Sequence, residues 1–248
     1  MFSKSIVKYI QSLQHKKFRD EHRAFVAEGP RVVGELLKSR QFKCNNIYAT
    51  SGWIINYKKD LLTEHQEKIT EVKDFELEKL ASFSSPNSVI AEFRIKENVE
   101  SVNFNNRITL MLDDIRDPGN FGTIIRIADW FGIENIICSA DTVDVYNPKV
   151  VQSTMASLGR VNIIYGDIEY HIKNNPAIKT YAATLDGKDI KETGKIKEGM
   201  IIIGNEAKGI SSNVLDRVNE KITIPRYGVA ESLNAAVATG IILYALVE

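Results

Sequence analysis

Met200-Ile201-Ile202-Ile203-Gly204-Asn205-Glu206-Ala207-Lys208-Gly209-Ile210 decides how the second half of this chain is read. Its isoleucines run without alternation, the pattern of a strand buried on both faces as in a parallel sheet. The run breaks at a glycine, and Ser211-Ser212 then stand before a helical pattern, where either serine is an ordinary N-cap. Glycine after a strand lets the backbone approach a flat or charged ligand. Glu206 falls at the carboxyl edge of the strand, where open α/β sheets bind their ligands.

The same grammar extends outward on both sides. Strand patterns at residues 108–112, 135–138, 161–165, 180–184, 200–203 and 221–224 alternate with helical patterns at 121–131, 148–158, 211–218 and 232–246. This predicts an α/β domain on a parallel sheet covered by helices on both faces.

Two further strand-to-helix turns carry polar residues. After residues 108–112 comes Asp117-Pro118-Gly119-Asn120-Phe121-Gly122-Thr123-Ile124-Ile125-Arg126, a helix start that buries Phe121, Ile124 and Ile125 and leaves Gly122 and Arg126 one turn apart on the opposite face. Asn120 as a helix cap, and Arg126 paired with Asp129, are the structural alternatives. After residues 221–224 come Pro225, a polar loop, and Glu231-Ser232-Leu233-Asn234-Ala235-Ala236. Ser232 reads as an N-cap. Asn234, one step inside a helix that disfavours it, is harder to explain structurally.

The first half reads differently. Apolar spacing predicts a helix over residues 3–14 and another from Pro30, then strands at 46–49 and 69–72, helical spacing through Phe75, Leu77, Leu80 and Phe83, a turn at 84–87, and a β-rich run over 88–95. Residues 96–106 are polar, asparagine-rich and without period. They place a linker between a small α/β domain at 1–95 and the domain at 107–248.

Composition narrows the function classes. Net charge is zero, yet residues 1–40 hold nine basic residues against four acidic ones, densest at His15-Lys16-Lys17-Phe18-Arg19 with Arg23 following. A basic cluster around an aromatic can hold RNA phosphates and a base, and a solvated helix end is the alternative. Two distant cysteines, Cys44 and Cys138, form no CxxC, and the four histidines show no ligand spacing, so no metal site is expected. The sequence has no GxxxxGK[ST], GxGxxG, HExxH or GxSxG. Lys4 and Lys8 interrupt the N-terminus, and the apolar stretch 235–247 is shorter than the roughly 20 residues that span a bilayer. A cytoplasmic protein without a membrane association is the expectation.

Asn120-x-Gly122-x-x-x-Arg126, Gly204-Asn205-Glu206-x-x-Gly209-Ile210 and Ile224-Pro225…Ser232-Leu233-Asn234-x-Ala236 together resemble, in order and spacing, the three motifs of the SpoU/TrmH family of RNA ribose 2′-O-methyltransferases. The likeness runs from about Ile108 to the last residue. Lys16-Lys17-Phe18-Arg19, Phe25-Val26-Ala27-Glu28-Gly29 and Val33 resemble the substrate-binding domain that precedes the catalytic one in many members. The resemblance implies a deep trefoil knot in the C-terminal domain, a homodimer, and S-adenosylmethionine as methyl donor. It assigns the cofactor to Gly204, Ile224 and Leu233, with Leu185 of Thr184-Leu185-Asp186-Gly187 in addition, and catalysis to Arg126, Asn120, Glu206, Ser232 and Asn234. In this reading Asn120 and Glu206 orient Arg126 or its loops. It assigns RNA contacts to Lys16, Lys17, Arg19 and Arg23. Ribosomal RNA is the expected substrate. Transfer RNA, methylation of a base, and an RNA-binding relative without activity are the alternatives.

Overall fold

The computed structural model describes residues 3–57, 63–83, 88–97 and 102–248. The chain forms two compact units, Met1–Glu97 with Asp144–Arg160, and Asn98–Val143 with Val161–Glu248. It therefore passes from one unit to the other after residues 97, 143 and 160, so the boundary expected over 96–106 is one of three crossings.

In the first unit, strands β1 (Ala24–Glu28), β2 (Cys44–Ala49), β3 (Ile69–Glu71) and β4 (Val89–Arg94) form one sheet in the order β1-β4-β2-β3. β4 runs antiparallel to β1 and β2, and β3 runs parallel to β2. Helices α1 (Lys4–Ser12), α2 (Lys16–His22), α3 (Pro30–Ser39), α4 (Ser51–Asn56) and α5 (Asp74–Glu78) accompany the sheet. Pro30 opens α3 at the first turn, where its missing N–H costs nothing. Ile10, Leu13, Val26, Tyr48, Leu77, Leu80 and Ile90 close a core. The buried Glu92 carboxylate is satisfied there by Tyr9 Oη (2.8 Å), Asn45 Nδ2 (2.9 Å) and Asn46 Nδ2 (2.7 Å). Beside it, burial foremost, and then the Glu92 charge, push the Tyr48 hydroxyl up to about 12.

One expectation fails in this unit. Arg19 is 2% exposed, and its guanidinium is spent internally: Nε and Nη2 donate to Asp144 Oδ2 at 2.9 and 2.5 Å, and Nη1 donates to the carbonyls of Leu13 (2.9 Å) and Gln14 (2.8 Å). With four of its five donors committed and the side chain buried, this guanidinium is out of reach of a phosphate, which corrects its assignment to RNA. Its work is to hold the inserted segment 144–160, where Tyr146 packs against Phe25 and Phe42. Within that segment α7 (Pro148–Ser153) stops short of the expected 158, because Met155 and Ala156 both take positive φ, at 48° and 76°. Lys16, Lys17 and Arg23 are exposed, as RNA contacts require.

The second unit is a six-stranded sheet, all of whose pairs are parallel, in the order β10-β8-β9-β5-β6-β7. Its strands are β5 (Ile108–Asp113), β6 (Asn135–Cys138), β7 (Asn162–Tyr165), β8 (Thr180–Asp189), β9 (Gly199–Gly204) and β10 (Glu220–Thr223). Its helices are α6 (Pro118–Trp130), α8 (Ile168–Asn174), α9 (Ser212–Leu215) and α10 (Ala235–Leu246). Met111, Ile137, Ala182, Met200 and Ile202 from the strands meet Ile168, Ile172 and Val214 from helices in one core. Burial of Cys138 inside β6 raises its thiol pKa. Among the described residues, no helix is long and apolar enough to cross a membrane.

The strand order reverses at β5. The chain leaves β5 toward β6 and β7 on one side and returns to place β9 on the other, so the β5/β9 crevice is a switch point of the kind where α/β sheets bind ligands.

Candidate active site

β5 and β9 pair in register through Leu112 with Ile203 and Asp113 with Gly204, which brings their carboxyl ends side by side. The buried Asp113 carboxylate accepts from the backbone N–H of Ser211 at 2.7 Å and so anchors the chain that leaves β9. Between these points residues 205–209 fold into a tight hairpin. Asn205 and Gly209 exchange backbone hydrogen bonds of 3.1 and 2.8 Å, and Gly209 supplies the positive φ of 71° that the return requires. Asn205 fixes the hairpin further. Its amide donates to the Asp114 carbonyl (2.8 Å), and its Oδ1 accepts from the N–H groups of Ala207 (2.9 Å) and Lys208 (3.1 Å).

Gly204 is required by this closeness. A Cβ built on it would lie 2.4 Å from both the Gly209 carbonyl carbon and the Ile210 nitrogen. The result is a rigid projection carrying Glu206.

Helix α6 starts at Pro118. Asp117, not Asn120, is its N-cap, accepting from the Asn120 N–H at 2.7 Å. This frees the Asn120 side chain, whose Nδ2 donates to Glu206 Oε1 at 2.6 Å and whose Oδ1 accepts from Asn234 Nδ2 at 2.7 Å. Asn234 is itself the N-cap of α10, its Oδ1 accepting from Ala236 N (3.0 Å) and Val237 N (3.2 Å). The expected cap at Ser232 is replaced, and the helix starts at Ala235. Asn234, unfavourable inside a helix, stands just before its first residue as the cap.

The three motifs thus meet in one directed chain: α10 backbone N–H to Asn234, Asn234 to Asn120, Asn120 to the Glu206 carboxylate. A carboxylate only accepts, so each amide in the chain has one orientation, and the bond to Glu206 is charge-assisted.

Arg126 and Ser232 lie outside this chain. Both are exposed, and Arg126 makes no hydrogen bond or ion pair among the described residues. Of the two alternatives, orienting Arg126 or orienting its loops, the Asn120–Glu206 bond corresponds to the second: it joins the α6 and β9 turns and leaves Arg126 untouched. Gly122, expected on the open face of α6, is buried. The helix presents Arg126 and Thr123 on its exposed side.

Of the residues assigned to a cofactor, two lie at strand ends, one lies within a strand, and Leu233 lies in the loop before α10. Gly204 ends β9, Ile224 follows β10, and Leu185 lies in β8, the strand between those two in the sheet. β8 is irregular: Lys221 pairs with Ala182 but Ile222 pairs with Lys188, so residues 183–187 bulge away. At the close of the bulge a Cβ on Gly187 would meet backbone atoms of Ile222 and Lys221 at 2.5–2.6 Å. Leu185 is 76% exposed and Leu233 46% exposed, while Thr184 Oγ1 is buried without a partner. Asp113, Asn205 and Thr184 had no role in the sequence reading. An Asx residue directly after a buried strand was the available signal for the first two.

Comparison with known proteins bears on this site. Residues 107–244 match the model of the SpoU rRNA methylase family, and residues 4–91 match that of an MRM3-like substrate binding domain. The chain is 27% identical to the Bacillus subtilis 23S rRNA (guanosine(2553)-2′-O)-methyltransferase RlmP over 97% of its own length and 95% of the relative's. Among solved structures it resembles an RNA methyltransferase of the TrmH family from Porphyromonas gingivalis (TM-score 0.88, 31% identity, 100% of this chain and 98% of the other). It also resembles an AdoMet-bound rRNA methyltransferase from Sinorhizobium meliloti (TM-score 0.87, 29% identity, 99% and 95%). With its three polar turns joined at one switch point and the family model spanning more than half of its length, this chain belongs to the SpoU rRNA methylase family.

Proposed function

We propose that this protein transfers a methyl group from S-adenosylmethionine to a ribose 2′-hydroxyl of RNA, with ribosomal RNA as the substrate class. The observation that carries this reading is the Asn234–Asn120–Glu206 chain, which ties the three motif turns into one preorganised site. Likeness to RlmP over nearly the whole chain favours rRNA over tRNA. The cytoplasm is the proposed compartment.

The protein's own residues fit the cofactor. Gly204 leaves backbone where a side chain would intrude, Leu185 and Leu233 offer apolar surface to a flat ring, and the unpartnered Thr184 hydroxyl calls for a polar group. Ile224 completes the set. When bound, S-adenosylmethionine supplies an electrophilic methyl group on a sulfonium. The chain that binds it is proposed to be threaded as a trefoil knot, a reading that rests on membership of the SpoU rRNA methylase family.

A 2′-hydroxyl becomes a useful nucleophile only as it loses its proton, and it must be held in line with the methyl group. Arg126 is assigned to the phosphate beside the target ribose and to the oxyanion that develops on it. A guanidinium is a poor proton acceptor at neutral pH, so the proton passes to a phosphate oxygen or water. Asn120 and Glu206 fix the α6 and β9 turns, Asn234 fixes the start of α10, and Ser232 meets the substrate.

A homodimer is proposed as well. α10 packs on α6, and the pair leaves Trp130, Val237, Ile241 and Tyr244 exposed, an apolar face suited to a second copy. Lys16, Lys17 and Arg23 of the first unit are proposed to hold RNA.

Labelled methyl transfer to total RNA is the direct test of the reading. Arg126→Ala should abolish transfer while S-adenosylmethionine still binds by titration; comparable activity in the variant would remove Arg126 from the chemistry.

A further inference from the structure

The loop that leads into Ser232 and Asn234 carries side chains for which the chemistry above has no use. From Pro225 to Leu233 the chain is irregular, and Tyr227 and Val229 are 88% and 98% exposed. Tyr227 makes no hydrogen bond or ring contact among the described residues. Among the described residues Arg226 beside it holds only the Ala230 carbonyl, at 3.4 Å, which leaves four of its five donors uncommitted there. A Cβ on Gly228 would meet nothing within 4 Å, which leaves clearance on the chain beside the ring.

The other exposed aromatics of this unit are differently placed. Tyr244 lies under Lys195, 5.6 Å from its ring, and Tyr170 lies edge-on to His171 on α8. Trp130 stands at the end of α6, on the face assigned to a second copy. Tyr227 instead sits on the irregular loop that leads directly into Ser232 and Asn234.

A ribose reached by an in-line methyl donor belongs to a nucleotide drawn out of its stack, and the base that loses its neighbour needs another flat partner. An uncommitted aromatic next to an uncommitted guanidinium is the pairing that single-stranded RNA uses, the ring for a base and the cation for the adjoining phosphate. Tyrosine stacks on any base without reading its edges.

We propose that Tyr227, with Arg226 beside it, is the platform on which the substrate RNA lays an unstacked base next to the ribose that is methylated. This rests on the reading of the chain as an RNA ribose methyltransferase. Tyr227 positions substrate and takes no part in the proton transfer.

The test compares wild type with Tyr227→Ala, Tyr227→Phe and Arg226→Gln in four measurements. These are labelled methyl transfer to total RNA from cells lacking the protein, binding of that RNA by filter retention, titration with S-adenosylmethionine, and sedimentation. Tyr227→Ala should weaken RNA binding and raise KM for RNA by about tenfold or more, the scale of losing one stacked base. Tyr227→Phe should stay near wild type, because the ring suffices. Arg226→Gln should flatten the salt dependence of RNA binding by about one phosphate contact. Cofactor affinity and assembly state should not change.

Unchanged RNA binding and KM in Tyr227→Ala would overturn the proposal. So would a parallel loss of S-adenosylmethionine affinity, which would make the ring a cofactor cover, or dissociation of a dimer, which would make the loop a contact between copies. Wild-type protein that binds RNA but transfers no methyl group would refute the underlying reaction. The binding arm still decides the role of Tyr227 in that case.

Discussion

Replacing Gly204 by alanine adds one methyl group at the point where β9 gives way to the hairpin that carries Glu206. That carbon would lie 2.4 Å from the Gly209 carbonyl carbon, 2.4 Å from the Ile210 nitrogen and 2.6 Å from the Gly209 oxygen. Non-bonded carbons rest about 3.5–4.0 Å apart, so the hairpin must retreat by roughly 1 Å. All three obstacles are backbone atoms and cannot swing aside as a side chain would. The strand cannot yield either, because Gly204 is paired with Asp113, whose carboxylate holds Ser211 at 2.7 Å.

Forced overpacking of this kind costs about 1–3 kcal/mol. In a chain of this size that lowers Tm by roughly 2–12 °C, at about 2–4 °C per kcal/mol. The same retreat draws Glu206 from Asn120, whose bond of 2.6 Å cannot stretch by that amount and survive. A misplacement of about 1 Å in a preorganised site costs on the order of 10²-fold in rate. Thermal melts and methyl transfer to RNA measure the two effects separately. Gly52→Ala is the control, since a Cβ there meets nothing within 4 Å, and it should leave both values near wild type. A Gly204→Ala protein that melts with wild type and transfers methyl groups at full rate would refute the account of the hairpin.

The Arg19–Asp144 pair should behave as a buried bridge that is costly to break. Arg19→Ala strands a carboxylate and should lower unfolding free energy by about 3–5 kcal/mol in denaturant titration, with Arg19→Met milder because it keeps the packing; loss below about 1 kcal/mol would argue against the clamp. The two thiols should be silent to a disulfide reagent at pH 8 in the native protein and react once it unfolds, because burial pushes Cys44 up to about 12 and raises Cys138 further. The sign for stability follows. An unfolded thiol ionises near pH 8.5 while the folded one stays protonated, so stability is intact below about pH 8.5 and falls above it by about 1.4 kcal/mol per pH unit for each buried thiol. A flat stability profile to pH 10 would contradict this.

Much of the second unit was legible because its strands are continuous isoleucine-rich runs. Residues 135–138 and the run ending at Gly204 fall where periodicity puts them, and parallel pairing follows from their burial on both faces. β8 was read five residues too short, since the bulge at 183–187 depends on β10 and leaves no local period. α8 was missed because seven residues hold too few turns for a periodic signal. In the site, Glu206, Asn120 and Asn234 were found from their turns. Their connection was not, because it spans sequence separations of 86 and 114 residues that only the fold closes. Arg19 was misread for the opposite reason. Its neighbours Lys16 and Lys17 are exposed cations, and its partner lies 125 residues away.

The three crossings between the units bear on how such a protein can be recombined. A module joined through one linker can be cut out, exchanged for a relative's, or expressed alone by severing a single bond. Here the first unit includes Asp144–Arg160, a stretch spliced between two strands of the second, so no single cut anywhere in the chain yields both pieces intact. A chimera made at residues 96–106 would inherit Asp144 and Tyr146 from one parent and Arg19, Phe25 and Phe42 from the other. Exchange of the first unit would therefore have to carry the insert along with the N-terminal residues, as a split cassette.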